Sequence, residues 1–376
     1  MKFSILGVVL VALAPLCASA LDTQAPAVGT TPSEAWWTKP YPGPFDAKQL
    51  THQQSHVRVQ GNQFVDEAGS VVIFHGVNLG DPDKLARQGK WTKAHFQAAK
   101  SFGANVLRLP IHPIGWHARG QDDYFKLLDQ AVVWANELGM YLIIDWHSMG
   151  NVIDELYAHP RYQTSQAETI QFWQGIALRY AGLPSVALYD IYNEPTAADG
   201  KFGTLNWAQW KAFNEKIIAV IRAYDKNVIA LVSGLNWAYD LSGVLPHPIE
   251  AQNVAYAVHV WPSKGKGSQP QGWEADWGYV ADKYPLVVTS VGWMPATEPG
   301  AHVPLIGDKN FGVAISDYLL KKGISYTVCW FDVDFAPRMI ADWNYTPSEQ
   351  GAFFKAVMLK AEQATVGAKK HQKPTK

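Results

Sequence analysis

The run Asn105-Val-Leu-Arg-Leu-Pro110, the helically spaced segment Tyr124–Leu138, and the run Tyr141-Leu-Ile-Ile-Asp-Trp146 together decide the fold. Two short, nearly continuous apolar runs bracket a longer segment with a 3.6-residue period. A strand that is apolar on both faces belongs in a parallel sheet covered on both sides. Working outward, the unit repeats. Strands are predicted at Val71–Gly76, Leu188–Asn193, Val228–Ser233, Val254–His259, Leu286–Ser290 and Ser325–Trp330. Helical spacing recurs at Trp91–Phe102, Thr164–Tyr180, Trp207–Tyr224 and Phe311–Lys321. Eight strands alternating with helices predict an α/β protein, a (β/α)8 barrel in a single domain over residues 57–362. A hairpin at Val57–Val65 opens it, and the connection between the fifth and sixth strands falls short of a full helix.

The flanks differ in character. Lys2, the apolar run Ile5–Leu16 and Ala18-Ser19-Ala20 have the three parts of a signal peptide over residues 1–20, cleaved near Ala20. The expected location is therefore outside the cytoplasm, extracellular or periplasmic. Cys17 would leave with that segment, so Cys329 has no partner and no internal disulfide can form. Residues 21–56 carry Pro26, Pro32, Pro40, Pro42 and Pro44 and read as an irregular arm pinned by Trp36 and Trp37. Residues 363–376 read as a flexible basic tail.

Composition narrows the partners. Among 376 residues, 32 Lys plus Arg balance 33 Asp plus Glu, a net charge of -1, so neither nucleic acid nor a membrane surface is expected as partner. A monomer is expected. The 16 Trp and 16 Tyr exceed what a core readily buries, because each buried indole N–H needs an acceptor. No His/Asp/Glu cluster has metal-ligand spacing and no glycine-rich loop could cradle a phosphate, so neither a metal nor a cofactor is expected.

In a barrel of this kind, chemistry gathers where strands end at the C-terminal face. The polar interruptions fall there: Arg108 in the second strand, Asp145-Trp146-His147 closing the third, Asn193-Glu194 the fourth, His259 the sixth, Ser290 the seventh and Trp330 the eighth. Singly, each has a structural explanation: a satisfied histidine, a turn before Pro195, a core tryptophan. Jointly, they converge on one mouth. His75-Gly-Val-Asn78-Leu, Asn105-Val-Leu-Arg108-Leu-Pro, Asp145-Trp-His147, Tyr192-Asn193-Glu194-Pro195, Val258-His259-Val-Trp261-Pro and Trp330-Phe-Asp-Val-Asp334 through Asp342-Trp-Asn-Tyr-Thr346-Pro resemble, in order and spacing, the signatures of glycoside hydrolase family 5.

That resemblance implies roles. Glu194 matches the general acid/base, which needs a pKa raised towards neutrality to protonate a leaving oxygen. Asn193 matches the residue that hydrogen-bonds the sugar 2-hydroxyl. His147 and His259 match positions holding the sugar and the acid/base, Trp330 the aromatic floor, and Arg108 the arginine that steadies the nucleophilic carboxylate. Two positions depart from the pattern. The nucleophile position reads Thr289-Ser290-Val291-Gly292, with Ser290 in place of glutamate, and Trp261 stands where the family carries a tyrosine against that glutamate.

Retaining hydrolysis needs two carboxyl groups about 5–5.5 Å apart. Serine is short and neutral, and losing a covalent nucleophile costs on the order of 10⁶ in rate, roughly 8 kcal/mol. Glu298, Asp332 and Asp334 are the candidate substitutes. If Arg108 is buried without the expected glutamate, its charge calls for Glu194, a bound anion or an acidic ligand group nearby. Trp116, Trp146, Trp237, Trp261, Trp273 and Trp293 are candidate stacking surfaces. Three functions stay open: an enzyme of altered turnover on β-linked glucan or mannan, a non-catalytic polysaccharide- or oligosaccharide-binding protein, and a nucleophile-replaced variant that transfers glycosyl groups from activated donors.

Overall fold

The computed structural model describes residues 43–371. The signal segment, the paired Trp36 and Trp37 and the last five residues lie outside them. A two-stranded antiparallel hairpin comes first, β1 (Arg58–Gln60) and β2 (Gln63–Val65), turning at Gly61, whose φ of 61° suits a residue without Cβ. The barrel strands follow: β3 (His75–Leu79), β4 (Val106–Ile111) and β5 (Tyr141–Trp146). After two short pieces, β6 (Met149–Asn151) and β7 (Leu156–Tyr157), comes β8 (Val186–Asp190), then the two-residue β9 (Glu194–Pro195). The last four are β10 (Ile229–Ser233), β11 (Val254–Val260), β12 (Leu286–Val291) and β13 (Ser325–Phe331). Strands β3, β4, β5, β8, β10, β11, β12 and β13 close into one parallel barrel, the architecture that the alternating pattern predicts.

Both faces of these strands are buried, which explains their continuous apolar runs. Val106, Ile143, Leu188, Ile229, Ala255 and Val287 form an inner cluster with Val57, Phe64 and Phe74. Phe74 bridges the hairpin to the barrel, 5.4 Å from both Phe64 and Tyr141. The hairpin therefore plugs the N-terminal end of the barrel. Leu107, Leu142, Ile144, Tyr189 and Val258 face outward into the larger cluster shared with the helices. Those helices begin at side-chain caps: Thr92, Ser165, Asp308, and Asn206 with Gln209 in a reciprocal capping box.

Four expectations shift. The β-branched run at Val71–Ile73 is not the first barrel strand: Val71 bridges Val65 beside the hairpin and is half exposed, and the strand begins at His75. The fourth strand lies at Val186–Asp190, ending before the polar motif. The last helix, Glu349–His371, continues beyond residue 363, where the sequence suggests a loose tail. Residues 43–56 are irregular but tied down. Phe45 N donates to the Arg179 carbonyl, and Thr51 N and His52 N donate to Asn136 Oδ1 at 3.1 and 3.0 Å. Asn136 precedes β5, so this part of the arm crosses the plugged end and leaves the opposite mouth open. Between β10 and β11 no full right-handed helix forms, as the sequence suggests: Leu235–Ala238 is a single turn with left-handed φ at Asn236 and Trp237.

Candidate active site

Within β4, β5 and β8 the side chains alternate, so the residue two positions above an apolar inner one faces the same axis. Above Val106, Ile143 and Leu188 stand Arg108, Asp145 and Asp190, all fully buried. Arg108 Nε and Nη2 donate to Asp190 Oδ2 at 2.9 and 2.8 Å, and Nη2 also approaches Asp145 Oδ2 at 3.0 Å. Nη1 reaches Asn78 Oδ1 and Nη2 reaches Asn193 Oδ1, each at 2.9 Å. Burial pushes both aspartates upward against the pull of Arg108. This corrects the expectation for Arg108. It does not line the cavity, and its charge is answered by two carboxylates, Asp145 of the third-strand motif and Asp190, which no motif includes, so it calls for no bound anion. It acts on the mouth through Asn193.

Above this layer opens a cavity of about 770 Å³. Glu194, Ser290, Asn193, His147, His259, Trp261 and Trp330 all line it, so the strand-end residues do converge. Each is aimed by local backbone. Glu194 lies in β9, which pairs with Met149 of β6, and Asn193 N donates to the Trp146 carbonyl at 3.1 Å. Ser290 owes its aim to a bulge. Val258 pairs with Val288 but His259 pairs with Ser290, so β12 holds one extra residue. Simple alternation from Val287 would turn Thr289, not Ser290, to the axis; bulges commonly redirect side chains in this way.

Two histidines are held in one tautomer each. His147 Nδ1 lies 2.6 Å from Asp145 Oδ2, and His259 Nδ1 lies 2.7 Å from Glu194 Oε1. Burial pushes His147 well down and His259 down to about 4, with Glu194 pulling the latter the other way. Near neutral pH both rings are therefore uncharged Nδ1–H donors. Burial alone would raise Glu194, but the His259 hydrogen bond and the nearby charge of Lys264 outweigh it and hold the carboxyl below its ordinary range. With His259 neutral, its hydrogen bond is the stronger influence. An ionised carboxylate can accept a proton but has none to give, the reverse of the raised pKa expected for a general acid.

None of the candidate substitute carboxylates lines the cavity. Asp332 is buried against Lys84 at 2.6 and 2.7 Å; Asp334 pairs with Lys84 and Gln88 at 2.9 Å; Glu298 lies 3.8 Å from Arg338. Cys329 lies beside Ser290, but burial pushes its thiol up to about 12, so it supplies no thiolate. Among the described residues, Glu194 is the one carboxylate in the cavity wall.

The aromatic candidates divide. Trp116, Trp146, Trp273 and Trp293 are core, while Trp237, Trp261 and Trp330 face the cavity. His112, Tyr162, Arg161 and Lys264 also line it and escape the motif comparison. His112 was findable as the first polar residue past β4; its Nδ1 lies 3.0 Å from Asp81 Oδ2 and its ring 4.5 Å from that of His147.

Comparison with known proteins agrees with this geometry. Residues 65–333 match the model of the cellulase family, glycosyl hydrolase family 5. The chain is 29% identical over 214 residues to endoglucanase A of Butyrivibrio fibrisolvens, covering 54% of this chain and 44% of that protein. It is 27% identical over 274 residues to an endoglucanase of Clostridium saccharobutylicum, covering 72% of this chain and 56% of the other. The chain thus spans about half the length of these relatives. Among solved structures, the β-glucanase SdGluc5_26A of Saccharophagus degradans is 47% identical with a TM-score of 0.84, covering 88% of this chain and 100% of that one, and it has also been solved in complex with cellotetraose. By its barrel, its strand-end residues and the family match across most of its length, the chain belongs to glycosyl hydrolase family 5.

Proposed function

We propose that this protein takes a β-linked glucan-type chain into the cavity and that its hydrolysis by double displacement is suppressed. The observation that carries this is the lone carboxylate. Glu194 faces a neutral Ser290, and no second carboxylate lines the wall among the described residues. Without a neighbouring negative charge to reinforce burial, the pull of His259 and Lys264 keeps Glu194 below the range of a general acid, so both halves of the reaction are weakened by one substitution. Support for the binding half comes from Trp330, Trp261 and Trp237, which offer faces for pyranose rings, and from the buried Asn193 Nδ2 and His259 Nε2, which have no hydrogen-bond partner among the described residues. The likeness to a β-glucanase solved with cellotetraose supports the glucan class. Export fits the leader-like residues 1–20, and no described helix is long and apolar enough to cross a membrane.

A second reading, glycosyl transfer from activated donors, is favoured by the small Ser290 in the wall opposite an ionised Glu194, which could accept the acceptor's proton. The test combines calorimetric titration with cellotetraose and turnover of an aryl β-cellobioside, with and without formate or azide. Binding with negligible unassisted turnover is expected, and an external anion should raise the rate. Brisk unassisted hydrolysis would overturn the suppressed-chemistry account. Absence of cellotetraose binding would overturn the glycan reading itself.

A further inference from the structure

The cavity wall holds more positive than negative charge. Against the single carboxylate of Glu194 stand Lys264 and Arg161, and neither makes an ion pair among the described residues. Arg161 is exposed, its guanidinium 6.0 Å from the Tyr162 ring centroid. Lys264 is half-buried. Its Nζ donates to the Trp237 carbonyl at 2.5 Å and lies 5.2 Å from the Tyr239 ring centroid. A carbonyl and an aromatic face are weak compensation for an ammonium group withdrawn from water.

The surrounding backbone is built to hold this arrangement. Asn236, Trp237 and Ala238 are three consecutive non-glycine residues with left-handed φ of 54°, 61° and 55°. Each such residue costs on the order of 1–2 kcal/mol, and a strained run persists only where its surroundings enforce it. Here Leu235 N and Asp240 N exchange hydrogen bonds with each other's carbonyls at 2.9 and 2.8 Å, closing the loop on itself. The run brings the Trp237 side chain to the cavity wall and its carbonyl to Lys264. On the other side, Tyr239 OH donates to Asp276 Oδ2 at 2.8 Å, and Lys266 N donates to the same oxygen at 2.8 Å. Asp276, which does not line the cavity, is thus committed to Tyr239 and Lys266. Glu194 attracts Lys264 at longer range, but its oxygen is held by His259.

We propose that the glycan carries carboxylate groups, and that Lys264 receives one from the sugar unit that rests on Trp237, with Arg161 adding positive field from across the mouth. This rests on the glycan-binding reading above and narrows it to acidic β-glycans. A neutral hydroxyl gives the Lys264 ammonium a hydrogen bond charged on one side only. A carboxylate adds the Coulomb attraction of an ion pair to that hydrogen bond. The discrimination expected is about tenfold in affinity, the lower end of what a hydrogen bond between charged groups contributes.

The test uses the full chain in affinity electrophoresis against two polymers with the same β-glucan backbone, carboxymethylcellulose and hydroxyethylcellulose, at low and moderate salt. Carboxylates distributed along the first polymer remove any dependence on binding register. The unmodified protein should bind the acidic polymer about tenfold more tightly at low salt. Lys264→Gln should bring the ratio of the two affinities near one, Lys264→Arg should keep it, and Lys226→Gln, which removes one exposed charge at the opposite end of the barrel, should leave it unchanged. The Arg variant guards against a folding defect in the Gln variant. A ratio near one in the unmodified protein overturns the proposal. So does an equal loss in Lys264→Gln and Lys226→Gln, which would mean a general field in place of a site. If neither polymer nor cellotetraose binds, the glycan reading fails and the inference fails with it.

Discussion

Replacing Ser290 with glutamate should move the acidity of Glu194 as well as restore a nucleophile, and the size of the move can be worked out. In the cavity Glu194 lies below the ordinary carboxyl range because His259 donates to it and Lys264 is nearby. A carboxylate introduced at position 290 would sit about 5.5 Å away in a retaining geometry. At an effective dielectric of about 20, two negative charges at that distance repel by about 3 kcal/mol, which lifts the Glu194 midpoint by about two pH units. The assay is a carboxyl titration by difference infrared spectroscopy, with Glu194 assigned by its disappearance in Glu194→Gln, alongside the pH profile of kcat/KM on an aryl β-cellobioside. Unmodified protein should titrate below the ordinary carboxyl range and turn over negligibly. Ser290→Glu should titrate about two pH units above the unmodified protein and gain activity with an alkaline limb at that raised midpoint. Adding Trp261→Tyr should raise the rate about tenfold more, because a phenol can donate to the new carboxylate where the indole packs on Met294, Leu305 and Cys329. A Glu194 midpoint above the ordinary carboxyl range in the unmodified protein, or one that Ser290→Glu leaves unmoved, refutes this reasoning.

Other consequences concern stability. Arg108→Met strands Asp145 and Asp190 and should cost about 3–5 kcal/mol in urea unfolding; the deficit should shrink as pH falls from 8 to 6, because protonated acids need no counter-charge. His95 is enclosed by Phe331, Trp343 and Tyr345, and burial pushes it down to about 3. The unfolded chain therefore takes up a proton below about pH 6.5 that the folded one refuses, and stability falls as pH falls through that window, by about 2 kcal/mol at pH 5. His95→Phe should flatten the difference in unfolding free energy between pH 7.5 and pH 5 by that amount, and an unchanged slope would contradict the assignment. Asn206→Ala, which removes a reciprocal capping box, should cost about 1 kcal/mol by the same unfolding measurement.

The barrel was readable because both faces of its strands are buried, so runs such as Tyr141–Trp146 are apolar without alternation and end where the mouth begins. The converging residues were readable for the same reason: Asn193, His147 and His259 are polar breaks at strand ends. What escaped was set by distant pairing. The bulge that turns Ser290 to the axis depends on the register of β11 against β12, which no local pattern encodes. Asp190, the principal partner of Arg108, sits inside an apolar strand, and its meaning appears only once β4 and β8 are brought across the barrel. Val71–Ile73 misled because a β-branched run signals a strand without saying which sheet receives it. Lys264 lies in a glycine-rich loop that resembles a solvated turn until the left-handed run at Asn236–Ala238 places a carbonyl over it.

The closed ionic layer formed by Arg108, Asp145 and Asp190 also bears on how such a scaffold can drift. Because that cation is satisfied from below, exchanging the residue at position 290 neither strands a charge nor disturbs the floor of the mouth. Catalytic competence and foldedness are thereby uncoupled in this barrel: one can be surrendered, or regained by a single codon change, while the other is inherited intact.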